Sequence, residues 1–281
     1  MPAPQASMMK QLARLKFASF QLKVPLNWQP PQGDPGAQHY ADAFKPEEKN
    51  TAPAVGAPPL FLPASMNKYH TDTQKMHHAK VGAYIDGICD AVCSAWSQWQ
   101  ATASMTGILV NAVTASMGQI VAPPLAPLIL AAAPKLTPME MKYATAIANT
   151  LSAAWLTFTA TVKIPGLPFY PAFAAFPGPL APPMPNVPVP FAVLTQVPIS
   201  ISTNTLKMQM VAALGDVQAP FHAELFEAIA HAFEQCYNLW KVSTMVTNVL
   251  GTGPIPTFAP PYVPVGPVLG GMATMAPGGF V

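Results

Sequence analysis

The chain has 281 residues, 51% of them hydrophobic and only 9% Lys, Arg, Asp or Glu, and its 14 basic and 12 acidic side chains leave a formal charge of +2. An ordinary soluble domain carries about 25% charged residues; this composition is too apolar for a charged disordered chain and too weakly basic for broad nucleic-acid binding, which needs clustered Lys and Arg. The 35 prolines and 17 glycines follow no every-third-residue rule, which excludes a collagen-like chain.

Residues 1–23 hold Lys10, Arg14, Lys16 and Lys23, which interrupt any continuous apolar core of signal-peptide length. The expectation is a chain made in the cytoplasm without an export signal, opening on a short amphipathic helix from about Ser7 to Phe20. Met8, Leu12, Leu15 and Phe20 are its expected apolar side. Residues 24–78 are loop-like, hold the densest charges between Lys45 and Lys49, and are read as an extended arm.

Self-similarity organises the remainder of the chain. Tyr84 falls on Tyr143 at an offset of 59 residues (143 − 84). At the same offset Ile88 falls on Ile147, Trp96 on Trp155, Gly107 on Gly166, and Ala122-Pro123-Pro124 on Ala181-Pro182-Pro183, while Trp99 meets Phe158. Each copy opens on a helix. Tyr84, Ile88, Val92 and Trp96 mark the first, and Tyr143, Ile147, Leu151 and Trp155 the second, each recurring every four residues. Thr137, Pro138 and Glu140 have the N-cap, N1 and N3 identities of a capping box. A β-capable segment comes next, SMTGILVNAV or TVKIPGLPFY, and then a proline-rich run expected to be extended.

A third, diverged copy is read from Phe221 to Val242. Leu225, Ile229, Phe233 and Trp240 are its anchors, and STMVTNVLGTG and an Ala-Pro-Pro run come after it. The expected fold class is α+β, built from internally repeated units of one amphipathic helix, a short β-capable segment and a proline-rich extended arm. Unit 1 spans 79–136, unit 2 spans 137–195, a connector spans 196–218, and unit 3 with a Pro/Gly-rich tail spans 219–281. Tyr84, Trp96, Tyr143, Trp155 and Trp240 are the expected structural anchors.

Chemistry is sparse. Ile120 to Pro134 is the longest apolar run; it is shorter than the roughly 20 residues that span a bilayer, and its prolines interrupt a helix. Cys89 and Cys93 lie four apart with no second pair to complete a zinc site, and are read with Cys236 as small buried side chains. Glu227 and His231 share a helical face, and His222 lies nearby, but the two histidines are not in HExxH spacing. No phosphate-cradling GxxxxGK[ST], no GxGxxG and no G-x-S-x-G elbow occurs. No catalytic, cofactor-binding or metal residue is assigned, no cofactor is expected, and the chain is read as non-enzymatic.

The aromatic-rich proline runs carry the functional expectation. Large aromatic side chains are costly to leave in water, and subunits of large assemblies expose such surface because assembly covers it. The reading is a structural subunit of a large protein assembly, of phage-tail-like or contractile-particle type. Helical repeats form its body, and proline-rich arms clamp neighbours. Its partners are other protein subunits, including copies of itself, with no specific nucleic acid, and its final place is within the particle. Trp28, Phe169, Tyr170, Phe176, Tyr262 and Phe280 are the expected partner contacts. The alternatives are a membrane-interacting or pore-forming effector and a metal-dependent enzyme using the His222/Glu227/His231 face.

Overall fold

A computed structural model describes residues 3–22, 64–194, 201–216, 219, 221–256, 258–259, 263–264 and 267–281, with the side chains of the first long helix described from residue 79 on. Residues 1–20 and 84–281 make one compact unit, and residues 21–83 a second. The fold is mixed α and β, with several helices and strands.

Helices α1 (Ala6–Ser19), α2 (Ala64–Thr102), α3 (Leu125–Ala132), α4 (Pro138–Thr161), α5 (Pro171–Ala174), α6 (Thr203–Leu214) and α7 (His222–Ser243) alternate with strands. These are β1 (Ser104–Asn111), β2 (Thr114–Val121), β3 (Ile164–Pro168), β4 (Leu180–Pro185), β5 (Val189–Pro190), β6 (Met245–Val246), β7 (Val249–Pro254), β8 (Phe258–Ala259), β9 (Val263–Pro264) and β10 (Gly271–Met275). Six of them form an antiparallel sheet in the order β3-β2-β1-β10-β7-β4.

Each long helix forms because its apolar residues return every three to four positions and bury one face. On α2 these are Ile85, Ile88, Val92, Trp96 and Trp99, on α4 Ile147, Leu151, Trp155 and Phe158, and on α7 Phe226, Ile229, Phe233 and Trp240. The Thr137 hydroxyl accepts from the Glu140 amide at 3.1 Å while the Glu140 carboxylate accepts from the Thr137 amide at 3.0 Å, so the capping box starts α4 as its residues indicate. A strand comes after each helix: β1 after α2, β3 after α4, and β6 and β7 after α7.

Four helix-borne tryptophans, Trp96, Trp99, Trp155 and Trp240, meet in the core. Ring centroids are 4.6 Å apart for Trp96 and Trp155, 5.6 Å for Trp96 and Trp240, and 5.5 Å for Trp155 and Trp240. Phe158, Phe191, Phe233, Tyr237 and Phe280 enclose them. Edge and tilted contacts of this kind place the positive edge of one ring on the negative face of another and add about 0.5–1.5 kcal/mol per pair beyond burial. Further along, Tyr84 touches Tyr143 edge-on at 6.3 Å.

Several elements differ from expectation. The helix read as the start of unit 1 begins at Ala64, inside the stretch read as an arm. α1 forms, but its fully buried residues are Met9 and Ala13, and Leu15 is exposed. The run after β2 is not extended throughout: Leu125–Ala132 is helical, because Pro127 falls in the first turn, where a missing N–H costs nothing. The second run is extended, and it pairs with β7 of its own chain. Gly107 and Gly166, equivalent by offset, do different work. Gly107 has φ +68° at the bulge in β1, and Gly166 is an ordinary strand residue of β3.

Candidate interaction surface

The six-stranded sheet has one face under the helices and one face open. Alternation along the strands sorts the residues: Met105, Ile108, Val110, Val249, Ala273 and Met275 are buried, while Leu109, Leu250 and Met272 are exposed at 43%, 40% and 66%. Register brings the exposed set together. Leu109 lies opposite Met272, Met272 opposite Thr252, and Thr274 opposite Leu250. Leu180, Met117 and Val121 are exposed as well.

None of the six strands contains Lys, Arg, Asp, Glu or His. These strands therefore present aliphatic, thioether, hydroxyl, carboxamide and proline groups, and Lys163, just before β3, borders them beside Thr106, Met117 and Gln119. Both edges carry proline. β3 holds Pro165 and Pro168, and β4 holds Pro182, Pro183 and Pro185. Proline gives no ladder N–H, so it blunts strand addition at an edge. The geometry thus disfavours growth edge to edge and leaves a broad, weakly polar plane for contact face to face.

Two buried amides hold the sheet and core in place. The side-chain Oδ1 of Asn186 accepts from the Val249 amide at 2.9 Å, and its Nδ2 donates to the carbonyls of Val187 at 2.7 Å and Val246 at 3.0 Å. Gln100 accepts from Trp240 Nε1 at 2.9 Å and donates to the Phe280 carbonyl at 3.0 Å. The backbone of Met245 exchanges two bonds with Val281, and the Phe280 ring stacks on Trp99. The indole nitrogens of Trp96 and Trp155 are buried without a hydrogen-bond partner, and the rings around them offer only the weaker N–H···π contact.

Among the expected anchors, Trp96, Trp155 and Trp240 are fully buried, and Tyr84 and Tyr143 are half-buried. Of the expected partner contacts, Tyr170 is exposed and Phe176 half-buried. Phe169 and Phe280 are buried instead. Phe169 occupies the space above Gly251, where an added Cβ would come within 2.7 Å of its ring, and Phe280 is drawn into the tryptophan cluster. Trp28 and Tyr262 lie outside the described residues.

In the polar cluster on α7, Glu227 is held in ion pairs and Glu234 caps α6, while His231 is half-buried. Glu227 binds Lys16 at 2.9 Å and Lys207 at 2.7 Å, and these two ammonium groups, Lys207 foremost, hold its carboxyl below the usual carboxylate range. Glu234 accepts from the amide and hydroxyl of Thr203 at the start of α6. His222 Nδ1 lies 2.5 Å from the Ala219 carbonyl. Cys89, Cys93 and Cys236 are free and buried. Among the described residues, no group of three or more His, Cys, Asp or Glu is placed to hold a metal ion, and no helix is long and apolar enough to cross a membrane.

No protein-family model, no curated protein sequence and no solved structure matches the chain.

Sequence reading missed the open face, Asn186 and Gln100. Alternation in GILVN and GMATM is the signal for the face, although it does not say which side the helices cover. The partners of Gln100 lie 140 and 180 positions away, and no local pattern marks them.

Proposed function

We propose that the chain is a structural, non-enzymatic subunit of a large protein assembly, and that the open sheet face is where a neighbouring subunit packs. The observation that carries this reading is the uncharged plane around Leu109, Leu250 and Met272. A monomer normally dilutes such surface with Lys and Glu, and contiguous apolar patches mark places that a partner covers. The partner is another subunit with a similarly uncharged surface, because a charge pressed onto this face would be desolvated with no countercharge. With proline at both edges, the favoured contact is sheet on sheet, at about 10 Å separation.

In this reading the body is one helix-strand unit used three times. Its support is the meeting of Trp96, Trp155 and Trp240, each eight or nine positions before a strand of the same sheet. The proline-rich segments blunt the sheet edges and limit contact to the face, a different use from clamping arms. A phage-tail-like or contractile particle is the context that fits the composition of few charges and much proline and alanine. The test is mass in solution. Light scattering over a concentration series, with native source material fractionated in parallel, is expected to show defined oligomers or co-migration with a particle. A monomer at every concentration and in both samples would refute the reading.

A further inference from the structure

Strands β1, β2 and β10 carry four methionines, and the sheet sorts them into two pairs. Met105 and Met275 are register partners and are buried, while Met117 and Met272 are exposed at 56% and 66%. The sulfur of the first pair is closed to solvent, and that of the second is open to it.

The backbone turns Met117 outward. Its register partner Ile108 is buried, and the ladder from β2 to β3 shifts between Ala115 and Met117. Met117 has φ +69° and Gly118 φ +83°, a region that strains any residue with a Cβ. A Cβ on Gly118 would lie 2.8 Å from Ile108 Cγ1, so glycine lets the strand close over that side chain. Bulges re-aim side chains, and the side chain re-aimed here is a thioether.

Met272 stands among apolar and already engaged groups. Leu109 lies opposite it on one side and Thr252 on the other. The Thr252 hydroxyl donates to the Ala181 carbonyl at 2.7 Å, so it is not free to serve a new acceptor. A thioether packs well in such a place, whereas its sulfoxide is polar. Covered by a neighbour, the sulfoxide oxygen would lose its water and meet no donor from this face, which is costly.

We propose that Met117 and Met272 are oxidation sites whose state decides whether a free subunit can join its neighbour through the sheet face. The oxidant is a peroxide. Its O–O bond breaks as the S–O bond forms, two electrons pass from sulfur to the peroxide, and water leaves. A thiol-dependent sulfoxide reductase reverses the change: two thiols become a disulfide, and the oxygen departs as water. The oxidised chain keeps its fold, because both sulfurs lie outside the core, and loses the face-to-face contact. The proposal rests on the sheet-face reading above and names how that face is regulated.

The test is treatment of the full chain with hydrogen peroxide, mapping of sulfoxides by mass spectrometry, and light scattering on each chain beside its own untreated sample. Met139 and Met141 on α4 and Met208 on α6 are exposed as well, and they oxidise in the same treatment as an internal control. In the native chain, oxidation at positions 117 and 272 is expected to weaken association at least about tenfold. The Met139→Leu/Met141→Leu/Met208→Leu chain should lose as much on treatment. In the Met117→Leu/Met272→Leu chain, peroxide should leave association where the untreated sample of that chain has it. Met272→Gln, polar without any oxidant, should weaken association in the same direction. A native chain that carries both sulfoxides and associates as before overturns the proposal and leaves the sheet-face reading standing. So does an equal peroxide loss in the Met117→Leu/Met272→Leu chain, or a Met272→Gln chain that associates like the native one. A native chain that is monomeric before treatment refutes the sheet-face reading and this proposal with it.

Discussion

The two faces of the six-stranded sheet are made by the same strands, with the same lack of charge, and they have opposite fates. Met105, Ile108, Val110, Val249 and Met275 are buried, while Leu109, Leu250 and Met272 face outward. Apolarity alone therefore does not define a core; a covering layer does. Helices supply that layer on one side, and on the other the proposed supplier is a neighbouring subunit. Substitutions on the two faces are therefore expected to have effects that separate cleanly, one on folding and the other on association.

The largest effect is expected at the inner side. Trp155→Ala removes a ring that touches Trp96, Trp99 and Trp240, and large core truncations cost about 3–5 kcal/mol. Urea denaturation should show that loss; a loss below about 1 kcal/mol would mean that the tryptophans do not hold the body together. Next comes Asn186→Ala, which strips the partner from the buried Val249 amide. A cost of about 1–3 kcal/mol is expected for a buried polar group left unmade, and the same titration checks it.

The outer face should behave otherwise. Met272→Lys and Leu109→Lys are each expected to change stability by no more than about 0.5 kcal/mol while weakening association measured by sedimentation. Unfolding of these variants would erase the distinction between the faces.

The smallest effect concerns α1. The Glu227 carboxyl is held below its ordinary value by Lys207 and Lys16, so its contribution is complete above about pH 4.5 and is lost as pH falls through the lowered folded value. Far-UV circular dichroism and labelling of Cys93 between about pH 5 and 3 should report release of α1 before the core unfolds. Glu227→Gln should blunt that step. Release at unchanged pH in the variant would assign it to other groups.

Much of the helical body was legible because helices are specified locally. The four-residue recurrence of Tyr143, Ile147, Leu151 and Trp155 and the Thr137–Glu140 box mark α4 within a few turns of sequence. The face of α1 was not legible, since Met8 and Met9 are adjacent and only the packing against α2 and α7 selects Met9. β10 was read as part of a Pro/Gly-rich tail, yet it lies between β1 and β7 near the middle of the sheet. Its residues are mostly small, and its place in the sheet comes from pairing with β7 on one side and with the distant β1 on the other. Phe280 belongs to the core for a similar reason: Trp99, Phe191 and Gln100 claim it from distant elements.

The most direct measurement is the mass of the purified chain in solution beside that of the Met272→Lys variant, by light scattering at matched concentrations. The account predicts a defined oligomer for the native chain and a folded variant of lower mass. A native chain that remains monomeric at every concentration, or a variant that associates as well as the native chain does, would contradict it.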